Sequence, residues 1–216
     1  MREGLSSRLE ACALRLTRLA TRFMRWFSAH WLALANLATF LYVGVPTLAP
    51  ILMKMNRPSA GRLLYTLFSP LCHQLPERSF FLFGPRVAYS YEELARLLQG
   101  DVPRRYLGDE TLGYKIAICQ RDVAIYAAMF AAGLAFSALR KRLKPLPLKA
   151  FLALLLPLAV DGTGQLLGLW VSSPLSRVIT GGLFGIALVW LAYPHLERGM
   201  AEVHQAAEEI IASWAK

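Results

Sequence analysis

Charge is what this sequence has least of. Only 18% of its 216 residues are Asp, Glu, Lys or Arg, against about 25% in an ordinary soluble domain. Acidic residues are the scarcer half, 14 against 24 basic ones, and the net charge is +10. The three cysteines, Cys12, Cys72 and Cys119, are too few for a disulfide scaffold. There is no G-x-S-x-G elbow, Walker loop, H-E-x-x-H pair or GxGxxG turn, so the common signatures of hydrolases, nucleotide-binding proteins and metalloproteases are missing. Residues 1–30 have no continuous apolar core ending in a small-residue cleavage site, so no signal-peptide pattern is read there.

What fills the chain instead is apolar sequence, 56% of it, gathered into runs between blocks of charge. A bilayer selects that arrangement, because a helix needs about 20 apolar residues to cross ~30 Å of hydrocarbon. The expected fold class is all-α: a polytopic transmembrane bundle of about four spans with amphipathic N- and C-terminal helices. The spans are predicted at about 31–53, 116–139, 147–171 and 178–193, within a transmembrane domain of residues 31–196. Pro46 and Pro50 are expected to kink the first. Residues 61–71 are too short to cross and read as re-entrant or interfacial. A short helix is expected over Tyr91–Leu98 inside the polar loop 54–115.

The two ends are amphipathic. In the basic segment 1–30, Arg8, Arg15, Arg18, Arg22 and Arg25 share one helical face, with Leu16, Ala20, Phe23 and Phe27 opposite. Such a helix suits the membrane interface, apolar side down. In the tail 197–216, Met200, Val203, Ala207, Ile210 and Trp214 form one stripe. Basic residues beside apolar spans are accounted for by the positive-inside rule and anionic headgroups. The expected partner is therefore the lipid bilayer and no nucleic acid. The N-terminal arginines and the cluster 140–144 with Lys149 place both termini in the cytoplasm and loop 54–115 outside, in a cell inner membrane.

Some residues do not belong in a plain membrane helix. An ionisable group at the centre of a span costs roughly 2.5–3.5 kcal/mol on insertion scales. Asp122 is expected about 9 Å below the outer end of its span and Asp161 about 15 Å below its own. Arg121, Gln165 and Arg177 add polar groups at a similar level. A buried ion-pair network, Arg121 or Arg177 with Asp122 or Asp161, would explain them; so would a polar pathway. Cys119 and Asp122, three apart, share a helix face. Gly164-x-x-x-Gly168 and Gly181-x-x-x-Gly185 predict that the third and fourth spans pack together.

Several short motifs occur in order: Cys72-His73-Gln74, Glu77-Arg78-Ser79-Phe80 with Gly84, Cys119-Gln120-Arg121, Ile125-Tyr126, Asp161-Gly162 with Gln165, and Ser176-Arg177 with Thr180-Gly181. Over residues 65–190 this resembles the prokaryotic membrane-protein family catalogued as domain of unknown function two thousand and eighty-five. The resemblance implies a membrane protein and names no activity. The family's second motif reads Cys-x-Arg-Cys; here Asp122 replaces the second cysteine, and the connection around residues 87–115 is expanded. The donors the family pattern offers are zinc-type ligands. In this chain they become Cys72, His73, Cys119 and Asp122, with Asp161 able to replace one of the first pair and zinc the implied cofactor. Two other readings stay open. Cys72 and Cys119 could form a disulfide or exchange electrons with a membrane carrier, and Arg121, Asp161 and Gln165 could line a transport path. A homo-oligomer or an accessory role in a larger membrane complex is also open, as is whether the chain is an enzyme.

Overall fold

The computed structural model describes residues 2–140 and 142–214, with side chains for residue 10 and from residue 12 onward. Lys141 of the basic cluster, the side chain of Arg8 and the end of the tail at 215–216 lie outside the described residues. In chain order the elements are α1 (Arg2–Lys54), α2 (Pro58–Phe68), β1 (Ser79–Leu82), α3 (Tyr91–Leu97), β2 (Gly108–Asp109), β3 (Gly113–Cys119), α4 (Gln120–Leu139), α5 (Leu148–Leu166) and α6 (Pro174–Ser213).

The molecule is mostly helical, but it is not all-α. Its strands form a small antiparallel sheet in the order β1-β3-β2, pairing Ser79 with Cys119, Phe81 with Lys115 and Gly108 with Tyr114. The run from Ile116 that reads as the start of a span is the end of β3. A continuous apolar stretch of four to eight residues cannot be told from a buried helix by periodicity. The tyrosine and isoleucines of GYKIAIC favour the pleat.

Among the described residues, three helices are long and apolar enough to cross a membrane: Cys12–Lys54 within α1, Gln120–Leu139 and Pro174–Ser213. The fourth expected run, α5, is long enough at 19 residues but carries Lys149, Pro157, Asp161 and Gln165, and this composition leaves it outside that set. The apolar surface is extensive. Leu166, Leu167, Leu169 and Val171 are each at least two-thirds exposed between α5 and α6. Contiguous apolar surface of this kind is rare on soluble monomers and marks a protein or membrane contact.

The amphipathic ends are not separate helices. The basic N-terminal segment is the first part of the 53-residue α1, which runs on through a fully buried Pro46 and Pro50. The C-terminal tail continues α6 and returns along α1: the Ser28 hydroxyl lies 3.2 Å from His204 Nδ1, and Arg18 stands 5.6 Å from the Trp214 ring centre. Where this pair meets α4, Trp31, Leu32, Phe136, Val189 and Tyr193 form the main core. At the same level the Trp31 indole N–H donates to Glu197 at 3.1 Å, and Arg140 pairs with Glu197 at 3.7 Å.

At the other end, loop 54–115 builds a cap. Proline starts α2, while Ser90 and Glu93 close a capping box on α3, which holds two backbone donors reciprocally. Phe81, Tyr89, Leu94 and Leu112 are its core.

The glycine patterns act differently from expectation. Gly181 and Gly185 face α4, not α5: a Cβ on Gly185 would lie 2.4 Å from the Ile125 carbonyl oxygen. Gly168 lies beyond α5 at φ +72°, with Leu169 N–H bonding to Gly164 O and Gly168 N–H to Gln165 O. This is a helix stop of the Schellman type, so the spacing that suggests a packing motif arises partly from a cap. Gly185→Ala should therefore push α6 off α4 and cost about 1–3 kcal/mol. Gly182→Ala, whose Cβ would meet nothing within 4 Å, should be silent. Thermal unfolding in detergent distinguishes the two.

Candidate metal centre

The junction of β3 and α4 positions the site. Cys119 ends the strand and caps the helix: its Sγ accepts from the Asp122 N–H at 3.4 Å, and its own N–H donates to Cys72 Sγ at 3.2 Å. Cys72 arrives from the turn after α2 and is buried against Ile116 and Ile118. The ligand atoms of Cys72, Cys119 and Asp122 all lie within 4.8 Å of one another. Donors around a tetrahedral zinc ion sit roughly 3.5–3.8 Å apart, given zinc–sulfur bonds of ~2.3 Å and zinc–oxygen bonds of ~2.0 Å. A small inward shift would thus close the three onto one ion, and two thiolates with a carboxylate are a zinc-type donor set.

The electrostatics shift the two thiols in opposite directions. Its thiol is held below the ordinary range, first by the hydrogen bond from the Cys119 S–H and also by the Gln74 and Cys119 backbone donors, which outweigh burial. The Cys119 thiol, which donates that bond and is itself buried, is pushed far up. A metal ion would displace the shared proton, because a coordinating thiol is deprotonated.

Two predicted residues stand elsewhere. His73 is exposed and is not part of the converging group; as the neighbour of an inward-facing Cys72 it turns the other way. Asp161 does not take its place, because it belongs to a second network. Arg121 donates to Asp161, and the Ser176 hydroxyl donates to Asp161 Oδ1 at 2.8 Å. The Arg121–Asp161 ion pair is thus present. Arg177, only 3% exposed, donates to Gln120 Oε1 at 2.9 Å, to Gln165 Oε1 at 3.2 Å and to the Glu77 carbonyl at 3.3 Å. A buried guanidinium with no carboxylate in that set relies on neutral acceptors. The depths differ from expectation as well. Asp122 lies in the first turn of α4 because β3 takes the residues before it, and Asp161 is about 7.5 Å from the end of α5.

Sequence reasoning missed the supports. Lys115, 1% exposed, donates to the Gln74 carbonyl. Burial pushes its ammonium down to about 8, opposed by the neighbouring charges of Cys72 and Glu77. The Tyr65 hydroxyl donates to the Lys115 carbonyl at 2.5 Å, and the Gln74 side chain donates to the Tyr65 carbonyl at 2.8 Å. Together they clamp the turn that carries Cys72. The available signal was a single lysine inside an otherwise apolar strand, since a buried charge survives only with partners.

Helices that pack through buried polar pairs and expose apolar side chains all round define an integral membrane protein. The comparisons agree. Residues 111–191 match the family model described as predicted membrane protein DUF2085, and the chain belongs to that family. An uncharacterized protein of Methanocaldococcus jannaschii is 32% identical over 133 residues, 61% of this chain and 67% of the relative. No solved structure matches.

Asp161→Leu would leave Arg121 unpaired and should lower stability by about 3 kcal/mol. Leu156→Ala, on an exposed position of the same helix, should cost far less. Adding Arg121→Met to Asp161→Leu should restore part of the loss in thermal melts, as coupled partners do.

Proposed function

We propose that this protein is a four-span membrane protein that holds one zinc-like ion through Cys72, Cys119 and Asp122 at the outer boundary of the bilayer. The observation that carries the reading is the convergence of two thiols and a carboxylate from a turn and a helix N-terminus. The Cys119 N–H donates to Cys72 Sγ and the Asp122 N–H to Cys119 Sγ, outer interactions of the kind that orient metal ligands. With three protein ligands and one open position, a bound zinc ion would act as a Lewis acid for hydrolytic chemistry; with a fourth protein ligand it would be structural.

Purified protein should contain about one zinc-like ion per chain. Cys72→Ser and Cys119→Ser should each abolish it, Asp122→Asn should weaken it, and His73→Ala should leave it. The competing reading is a dithiol, favoured by the hydrogen bond between the two thiols. A Cys72–Cys119 crosslinked peptide in metal-free, well-folded protein would sink the metal reading and establish that one.

The fourth span in this proposal is α5. Its 19 residues are about 28 Å long at ~1.5 Å per residue, close to the hydrocarbon thickness. Just before it, Leu146 N–H bonds to Trp190 O at the end of the bundle near Arg140. Its last turns lie beside Ser176, at the start of α6. The cytoplasmic assignment of both termini follows from the arginines of α1. Reporter fusions at Gly100 and at the C-terminus should lie in opposite compartments; the same compartment for both would mean that α5 does not cross.

A further inference from the structure

The first half of α1 carries a second apolar face that no element among the described residues covers. Thr21 and Ser28 are buried toward α6. Almost directly opposite, Leu16, Leu19, Phe23 and Trp26 are 61%, 62%, 56% and 49% exposed, with exposed Cys12 before them and exposed His30 after them. The spacing from Cys12 through Leu16, Leu19, Phe23 and Trp26 to His30 alternates between four and three residues. That is a heptad seam, the repeat that turns one helix face toward an identical partner.

Lipid does not account for all of this face. At the end that holds the termini, Trp31 and Arg140 both bond to Glu197, a tryptophan and ion-pair level of the kind found at a membrane–water interface. Leu19 and Leu16 lie about 16 and 21 Å of helix beyond His30, whereas the headgroup layer on each side is only about 5–8 Å deep. Trp26, about 6 Å beyond His30, reaches the headgroups; Phe23, about 10 Å beyond it, and the two leucines stand clear of them.

We infer that α1 pairs with α1 of a second copy as a parallel coiled coil along this seam. The charges select both the partner and the direction. Arg15 and Arg22 border the seam on one side, and Ala13, Ala20 and Phe27 on the other. In a parallel pair each arginine flank meets the uncharged flank of its partner, and Arg22 falls toward Phe27 of the other copy. An antiparallel pair would set arginine against arginine, and like charges there are repulsive. Two copies inserted in one membrane with the same orientation have parallel α1 helices, so the permitted direction is the one the membrane imposes. The two-fold axis then runs along the membrane normal, as in a closed cyclic dimer.

The same geometry brings the two Cys12 thiols face to face, which supplies the test. Membranes containing the full chain are treated with copper–phenanthroline, and the product is read by non-reducing electrophoresis and mass spectrometry. The expected result is a dimer joined Cys12 to Cys12 and absent from Cys12→Ser. Thr17→Cys, placed off the seam in the Cys12→Ser background, should crosslink roughly ten-fold less. Leu19→Glu together with Phe23→Glu should also reduce the Cys12 crosslink roughly ten-fold, since charge at core positions disfavours association, with helix content unchanged by circular dichroism. The inference is overturned if Cys12 stays monomeric, if it joins only to other proteins, or if Thr17→Cys crosslinks as readily as Cys12.

Discussion

Holding two guanidinium groups, Arg177 buried and Arg121 half-buried, is the constraint that organises the cap end of this protein. The terminal nitrogens of Arg121 and Arg177 find their acceptors in Asp161 and Gln165 on α5, Gln120 on α4 and the Glu77 carbonyl before β1, while the Nε of each is buried without a partner among the described residues. Gln120 in turn donates to the Ser79 carbonyl at 2.9 Å, tying the helices to the first strand. The sheet is held in register by the same contacts, because Ser79 pairs with Cys119. Cys119, the last residue of β3, is thereby fixed at the junction that Gln120 and Ser79 hold. This is a high-stakes arrangement: a satisfied buried polar network specifies one packing, while a broken one leaves a charge stranded in low dielectric.

Much of the bundle was legible because apolar runs and charge blocks are strong signals. The α4 and α6 runs and the α3 helix follow from residue type and spacing, and Arg121 with Asp161 is one of the four ion pairings that residue type allowed. The sheet was not legible, and the reason is specific. GYKIAIC is apolar on both faces, without the alternation that a half-exposed strand shows, and it runs directly into the apolar start of α4. The partner strand SFFL is four residues long, below the length at which a pattern can be read. A strand abutting a span looks like a longer span.

The site was legible in part for a similar reason. Cys119 and Asp122 are one turn apart, and either a helix or a helix cap brings them together. Cys72 joins them only through the tertiary fold, held by Tyr65, Gln74 and Lys115. Adjacent residues such as Cys72 and His73 commonly point apart, and the turn places one inside and the other in solvent. Nothing local in the sequence says which. The glycine pairs show the opposite hazard, where a genuine spacing serves two unrelated ends: close approach of α6 to α4, and termination of α5.

The length of α1 has a mechanical consequence. At ~1.5 Å per residue its 53 residues form a rod about 80 Å long, well over twice the hydrocarbon thickness. Near its far end Tyr42 packs on Phe68 and Tyr126, and Ala49 is fully buried against the cap. Tyr42 also lies within electrostatic reach of Cys72, Cys119 and Asp122. A helix is stiff in torsion over this distance compared with the side chains around it. A turn of α1 about its own axis would therefore be carried along the rod to Tyr42, which packs beside the thiols.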